Sequence, residues 1–331
     1  MATGGAIMQT LALQSPIAKQ IHRFINLRRL SGTDYRDQAK LLCYFDRFLV
    51  NENIKQPLIT RQITDRYQQS LAHLSPRYRF NRFCVVKQLC EYIAQYDPLC
   101  YVPEPMRVIP AYETHCPYIF TEAEIQALLS AASTLQPHGS LRQQTYWMLL
   151  GLLYTTGIRI GEALALDLKD FQNEQIMLCI VAGKFRKDRW IPLHPSTCQA
   201  LEHYIQRRLQ AGPRSPDSPL FLDLASCRLH YGAVYQTFRQ LLAQCGIPHS
   251  RRTGPRIHDL RHTFAVHRLQ GWYSDGQDIN ARLPWLATYM GHVNVASTQV
   301  YLQATATLIE QVDQRFHKYF TDNVKPLGEK P

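Results

Sequence analysis

Between residues 102 and 117 the chain reads VPEPMRVIPAYETHCP, four prolines in sixteen residues. No helix runs through such a stretch. Each proline lacks an amide donor and clashes with the turn before it, and the residue preceding each is pushed toward extended backbone. The segment therefore reads as an extended linker, and the parts on either side must each bury a core of their own. A chain of 331 residues is long enough for two domains. Its apolar content of 45% is enough to fill both cores.

Residues 1–14 read as a loose tail. From 15 to 101 the apolar residues recur at helical spacing, first at Ile17, Ile21, Phe24 and Ile25, then at Leu41, Leu42, Phe45, Phe48 and Leu49. Thr60 is placed to cap a third helix running to Leu71. Ser75 and Pro76 open a fourth that runs to about Tyr96. The expectation is a small all-helical domain. Its surplus of basic residues, among them Arg23, Arg28, Arg61, Arg77, Arg79 and Arg82, could grip a phosphate backbone or simply face solvent.

Beyond the linker, Thr121 followed by Glu124 and the run Ile125, Leu128, Leu129 is a capping-box start. Residues 141–156 form an apolar helix that ends at Thr156-Gly157. Gln175–Ala182 and Arg189–Leu193 are β-rich and flank the polar turn 183–188, and Pro192 confines the second strand to an edge or an end. Helix returns over Ser196–Leu209, and after a Pro/Ser-rich loop from Gly212 to Pro219 further helices follow. No internal repeat is present. The fold class is mainly α with a small antiparallel β-sheet: a helical domain over 15–101, the linker 102–117, an α+β domain over 118–322 and a tail over 323–331.

The net charge of +11 and a pI near 9.2 favour a polyanionic partner, either nucleic acid or an anionic membrane surface. No run of about eighteen apolar residues suggests a membrane span, and Met1 to Ser15 lacks the layout of a signal peptide. The nine cysteines are scattered, odd in number and without a CxxC pair. They are expected to be reduced and mostly buried thiols.

Five local motifs carry candidate chemistry. In Thr156-Gly157-Ile158-Arg159-Ile160-Gly161-Glu162, Arg159 is expected in the first turn of a helix, where the helix dipole disfavours a cation. Such a placement points to function, or to an ordinary pairing with Glu162. Lys184 on the polar turn either reaches into a groove or cleft or is merely solvated. In the stretch Arg256–Ala265, His258 and Arg261 stand three apart and share a helix face, so both can donate to one phosphate group. His258 and His262 also have an i,i+4 metal spacing, without the intervening Glu or a third ligand. The last two motifs are Tyr289-Met290-Gly291-His292 and Val300-Tyr301-Leu302. A single tyrosine is most often packing or surface, so Tyr301 draws its meaning from its companions.

Taken in order, TGIR, GKFRKDRWIPL, HDLRHTFA, MGH and VYL resemble the signature of the tyrosine recombinase (phage integrase) family, over roughly residues 118–320. The helical first domain is similar in size and basic character to that family's core-binding domain. The resemblance implies six active-site residues. Arg159 and Arg261 would clamp the phosphate, and His258 would be the box histidine and general base. His292 would be the second histidine and Tyr301 the nucleophile. Lys184, directly after Gly183, would be the hairpin lysine. It is preferred to Lys187 because the family's lysine follows the glycine, with a second Lys and an Arg three and five places later, where Lys187 and Arg189 stand. Glu162 matches an acidic position that supports the arginine-bearing helix.

The implied activity is metal- and ATP-independent breakage and rejoining of DNA through a 3′-phosphotyrosine, with no cofactor. The implied partner is double-stranded DNA bearing a recombination site of a mobile element, bound by a tetramer or by a set of paralogues. The implied location is the cytoplasm, at the nucleoid. A type IB topoisomerase uses a similar residue set, and a catalytically silent DNA-binding accessory protein is a third reading. Leu308, Ile309, Val312, Phe316 and Phe320 suggest a last helix that docks on a neighbouring protomer or on its own domain.

Overall fold

The computed structural model describes residues 12–33, 35–106, 117–181, 188–250 and 254–291. The chain divides into two compact units, Met1–Thr114 and His115–Pro331, the break falling inside the proline-rich segment.

The described residues of the first unit contain four helices: α1 (Ala18–Leu30), α2 (Arg36–Asn51), α3 (Arg61–Ser70) and α4 (Pro76–Ala94). Their apolar stripes close on one core through Ile21, Phe24, Leu42, Phe45, Tyr67, Val86 and Leu89. The start signals act as read. The Thr60 side chain accepts from the Ile63 amide at 3.4 Å, and Pro76 occupies the first turn of α4. Asp46, buried on α2, accepts from the backbone amides of Gln14 at 2.9 Å and Ser15 at 3.0 Å, fixing the chain's entry into α1. The Tyr101 amide donates to the Ile59 carbonyl at 2.8 Å and ties down the end of the unit.

In the second unit, α5 (Glu122–Ala132) opens with the full Thr121–Glu124 capping box. Next, α6 (Leu141–Thr156) is buried on nearly every side, through Met148, Leu149, Leu150, Leu152 and Leu153. An all-round apolar helix must lie inside, and α6 packs against α5, α8 (Pro195–Ala211) and α10 (Asp259–Ser274). The remaining α-helices among the described residues are the short α7 (Ile160–Ala165), α9 (Tyr231–Gln244) and α11 (Ile279–Met290). A second apolar cluster, with Phe264, Val266 and Leu269 against Leu283, Leu286 and Met290, packs α10 on α11.

A three-stranded antiparallel sheet lies between α7 and α8, in the order β1 (Phe171–Gln172), β2 (Met177–Ile180), β3 (Arg189–Pro192). Strand β1 went unpredicted, since two residues carry no periodicity. Pro192 ends the edge strand β3, as its missing donor requires. The β2–β3 register sets Ile180 opposite Arg189, so Arg189 stands at the base of the connection that carries Lys184.

Two expectations need correction. Arg159 does not lie inside the first turn of a helix. It is the N-cap of α7, with extended backbone (φ −72°, ψ 143°), because Gly157 ends α6 in the left-handed region and the chain needs two residues to re-enter helix. The cysteines are not mostly buried. Of the eight described, all unpaired, Cys90, Cys100 and Cys198 are buried, while the others sit at the rims of the cores or, for Cys227, in the open.

Gly157 is the hinge between α6 and the Arg159 turn. Its φ is +61°, and a Cβ there would collide with the Phe264 ring. Replacing Gly157 by Ala should destabilise the second unit by about 2–4 kcal/mol, the sum of left-handed strain and overpacking. Urea denaturation measures this, and a loss under about 0.5 kcal/mol would show that the turn is not constrained in this way.

Candidate active site

Arg159 is held by three bonds. Its backbone amide donates to Glu162 Oε2 at 2.9 Å, its Nη1 to Glu162 Oε1 at 2.7 Å, and its Nη2 to the Gly291 carbonyl at 2.9 Å. Pairing with Glu162 and a place in the site therefore coexist in the same side chain. Glu162 has a second cationic partner, Arg189, which donates from Nη1 to Oε1 at 3.1 Å and from Nη2 to Oε2 at 2.7 Å. The Glu162 side chain is only 8% exposed. Burial alone would raise its pKa. The bonds from Arg189 and Arg159 and the charge of Arg189 overrule that and bring it down to about 2.

Arg261 comes from the first turn of α10 and is 2% exposed. Its Nη1 donates to the Gly157 carbonyl at 2.5 Å and its Nη2 to the Met290 carbonyl at 2.7 Å. Arg189 Nε donates to the Tyr289 carbonyl at 3.3 Å. Three guanidinium groups thus meet three successive carbonyls, those of 289, 290 and 291, at the C-terminal end of α11. Carbonyls there lack intrahelical partners and carry the negative end of the helix dipole, so cations are favoured. Gly291 caps the helix at φ +69°, and a Cβ on it would lie 3.1 Å from the Arg189 guanidinium carbon.

His258 is the N-cap of α10, already in helical backbone, and the Arg261 amide donates to its carbonyl at 3.1 Å. His258 is exposed and Arg261 buried, three residues apart at the start of the same helix. The His258 ring meets the His262 ring edge to face, with centroids 5.0 Å apart. Partial burial, then the charges of Arg261 and Arg159, hold the imidazole below the ordinary histidine pKa, and Glu162 pulls the other way. These influences favour the neutral imidazole, the form that can accept a proton.

Three of the six expected site residues, Arg159, His258 and Arg261, come together in this way. Lys184, His292 and Tyr301 lie outside the described residues, as do the turn 183–187 and the expected last helix. The described chain resumes next to them at Gly291, directly before His292, and at Val181 and Asp188, three places before and four after Lys184. Sequence reasoning missed Arg189 as a member of the cluster and used it only as a spacing marker. It also missed the carbonyls of Gly157 and residues 289–291 as arginine acceptors.

The guanidiniums of Arg159 and Arg189 share the single carboxylate of Glu162, and the Arg159 side chain is 23% exposed, so an anion can reach it. Among the described residues no group of three or more His, Cys, Asp or Glu could hold a metal ion. Among them, too, no helix is long and apolar enough to cross a membrane.

The family model described as Phage integrase family matches residues 119–307. A Sinorhizobium fredii protein named "Putative integrase/recombinase y4rB" is 35% identical over 314 residues, covering 93% of this chain and 99% of its own. Tyrosine recombinase XerD of Staphylococcus saprophyticus is 27% identical over 301 residues, 90% of this chain and 89% of its own. Among solved structures, the XerH site-specific recombinase bound to palindromic difH substrate, a post-cleavage complex, superposes with a TM-score of 0.64 at 19% identity, over 90% of this chain and 84% of that one. The mainly helical architecture with its small sheet is that of this fold. The chain belongs to the phage integrase family of tyrosine recombinases, enzymes that break and rejoin DNA.

Two pH effects follow. The Glu162 pKa lies below its unfolded value of about 4.5, so its stabilising contribution is complete above that pH and is lost as pH falls toward about 2. Between those limits the wild type should lose stability more steeply than Glu162→Gln in acid-series urea melts. Parallel curves would contradict the assignment. For His258, protonation works against the fold as pH drops through the histidine range, and its NMR titration midpoint in the free protein should fall below 6.5. A midpoint above that value would mean that the neighbouring arginines do not act on it.

Proposed function

We propose that this chain is a site-specific DNA recombinase whose nucleophile is Tyr301 and whose phosphate site is built by Arg159, Arg261, His258, His292 and Lys184. The supporting observation is the convergence of Arg159 and Arg261, 102 residues apart in sequence, on the adjacent carbonyls of 291 and 290, with His258 under the influence of both charges.

The chemistry follows from the residue types. Cleaving a phosphodiester needs a nucleophile in line with the leaving oxygen, stabilised charge on the non-bridging oxygens, and a proton for the leaving 5′ oxygen. The Tyr301 phenol attacks phosphorus and its proton passes to His258, whose neutral form can take it. Arg159, Arg261 and His292 donate to the non-bridging oxygens. The bond from phosphorus to the 5′ oxygen breaks, and Lys184 supplies the proton to that oxygen. The 3′-phosphotyrosine keeps a phosphodiester bond, so a 5′ hydroxyl from a second duplex can reverse the step and exchange strands. No metal or nucleotide enters the scheme.

The partner is double-stranded DNA carrying a specific site. The two units, 15–101 and 118–322 joined by 102–117, would act as a core-binding domain and a catalytic domain. Recombination of this kind brings four protomers together, either copies of this chain or a set of paralogues. The protein would work in the cytoplasm at the nucleoid, on the DNA of a mobile element.

A nicked suicide substrate, from which the cleaved 5′ fragment diffuses away, tests the scheme. The wild type should accumulate a covalent protein–DNA adduct. Tyr301→Phe should form none while keeping its DNA affinity within a few-fold of wild type. An adduct formed by that variant would remove Tyr301 from its role.

A further inference from the structure

Arg189 meets Glu162, the Tyr289 carbonyl and Gly291, yet the scheme above gives it no task. Its fork binds both oxygens of Glu162, at 3.1 and 2.7 Å, and its Nε reaches the Tyr289 carbonyl at 3.3 Å. The side chain is 15% exposed. It is less exposed than Arg159, whose side chain is 23% exposed. We propose that Arg189 is a positioning residue: it engages the Glu162 carboxylate so that Arg159 keeps its charge and its donors for the scissile phosphate. This rests on the reading of Arg159 as a phosphate ligand.

Glu162 and Arg159 stand three apart at the start of α7, close enough to form a two-bond fork by themselves. Such a pair would be locally neutral and would fold the guanidinium back onto its own helix. In the structure that fork is not made. Oε1 is shared between Arg159 Nη1 and Arg189 Nη1, and Oε2 goes to the Arg159 backbone amide and Arg189 Nη2. Only one of the guanidinium's bonds to the carboxylate remains, and Nη2 is aimed at Gly291.

The charges follow the same division. One carboxylate between two guanidiniums cannot neutralise both, and the fork of Arg189 takes the larger part. Arg189 is also the base residue of β3, opposite Ile180, and it lies close against Gly291, where a Cβ would come within 3.1 Å of its guanidinium. It joins three pieces of chain: the strand after Lys184, the helix start that carries Arg159, and the end of α11 just before His292.

Single-turnover cleavage by the full chain, with DNA affinity measured separately, tests this through Arg189→Gln, Glu162→Gln and the double variant. Arg189→Gln frees Glu162 to neutralise Arg159, so cleavage should fall by about 100-fold, the low end of the loss of one preorganised donor, with affinity little changed. Removing the carboxylate as well should restore part of the rate, making the double variant faster than Arg189→Gln. A plain structural brace predicts the opposite, since losing both partners only loosens the site. Wild-type cleavage by Arg189→Gln overturns the proposal, and so does a double variant no faster than that single one.

If Arg189→Gln does not fold, the double variant, which strands no buried carboxylate, is compared with wild type. A rate within about ten-fold of wild type supports the proposal, and a loss as large as that of Arg159→Ala overturns it. Arg159→Ala also separates the two levels of inference. If it cleaves normally, the phosphate-ligand reading fails. If it is slow while Arg189→Gln is normal, only the role of Arg189 fails.

Discussion

The carboxylate of Glu162 sits between two guanidinium groups, and the geometry of the cluster is organised around it. A carboxylate this buried costs several kcal/mol unless it is paired and hydrogen-bonded on both oxygens. Here four donors meet it: the Arg159 amide, Arg159 Nη1 and the two arms of Arg189. The arrangement is satisfied but not neutral. It retains a net positive charge, and that charge is presented through Arg159, the most exposed of the three side chains in the two ion pairs. A site meant to receive a phosphate needs this combination of fixed donors and uncompensated charge in a partly dry place.

A second constraint comes from the end of α11. The carbonyls of Tyr289, Met290 and Gly291 would be short of partners at a helix terminus, and Arg189, Arg261 and Arg159 answer them in turn. The arginines are thereby preorganised before any substrate arrives, and the chain is fixed at the residue preceding His292. Two glycines make the approach possible. Gly157 turns left-handed so that its carbonyl can face Arg261, and Gly291 does so where a side chain would crowd Arg189. The apolar contact of α10 with α11 through Phe264, Leu286 and Met290 holds these pieces at the right separation.

Much of this was legible from residues close in sequence. The Thr121–Glu124 box, the Thr60 cap, the apolar run of α6 and its Gly157 stop, and the edge position of Pro192 are all local, and the structure has each of them. The nearness of His258 and Arg261 at the start of α10 needed only a three-residue spacing. What could not be read depends on chain separation. Arg189 finds its partners 27 residues back at Glu162 and 100 residues on at Tyr289, so no local pattern marks it as more than a strand-end charge. Arg159 was misplaced by one position because the left-handed Gly157 delays the start of α7. Lys184, His292 and Tyr301 drew their roles from the family resemblance alone, and they lie outside the described residues.

The most direct test of the central claim is a structure of the chain bound to a DNA duplex carrying its recombination site, with the scissile phosphate resolved. One phosphorus should have both the Arg159 and Arg261 guanidiniums and the His258 ring within hydrogen-bonding distance of its oxygens, with Glu162 still held by Arg189. A phosphate backbone that runs elsewhere, leaving Arg159 and Arg261 satisfied only by Glu162 and the carbonyls of α11, would contradict the account.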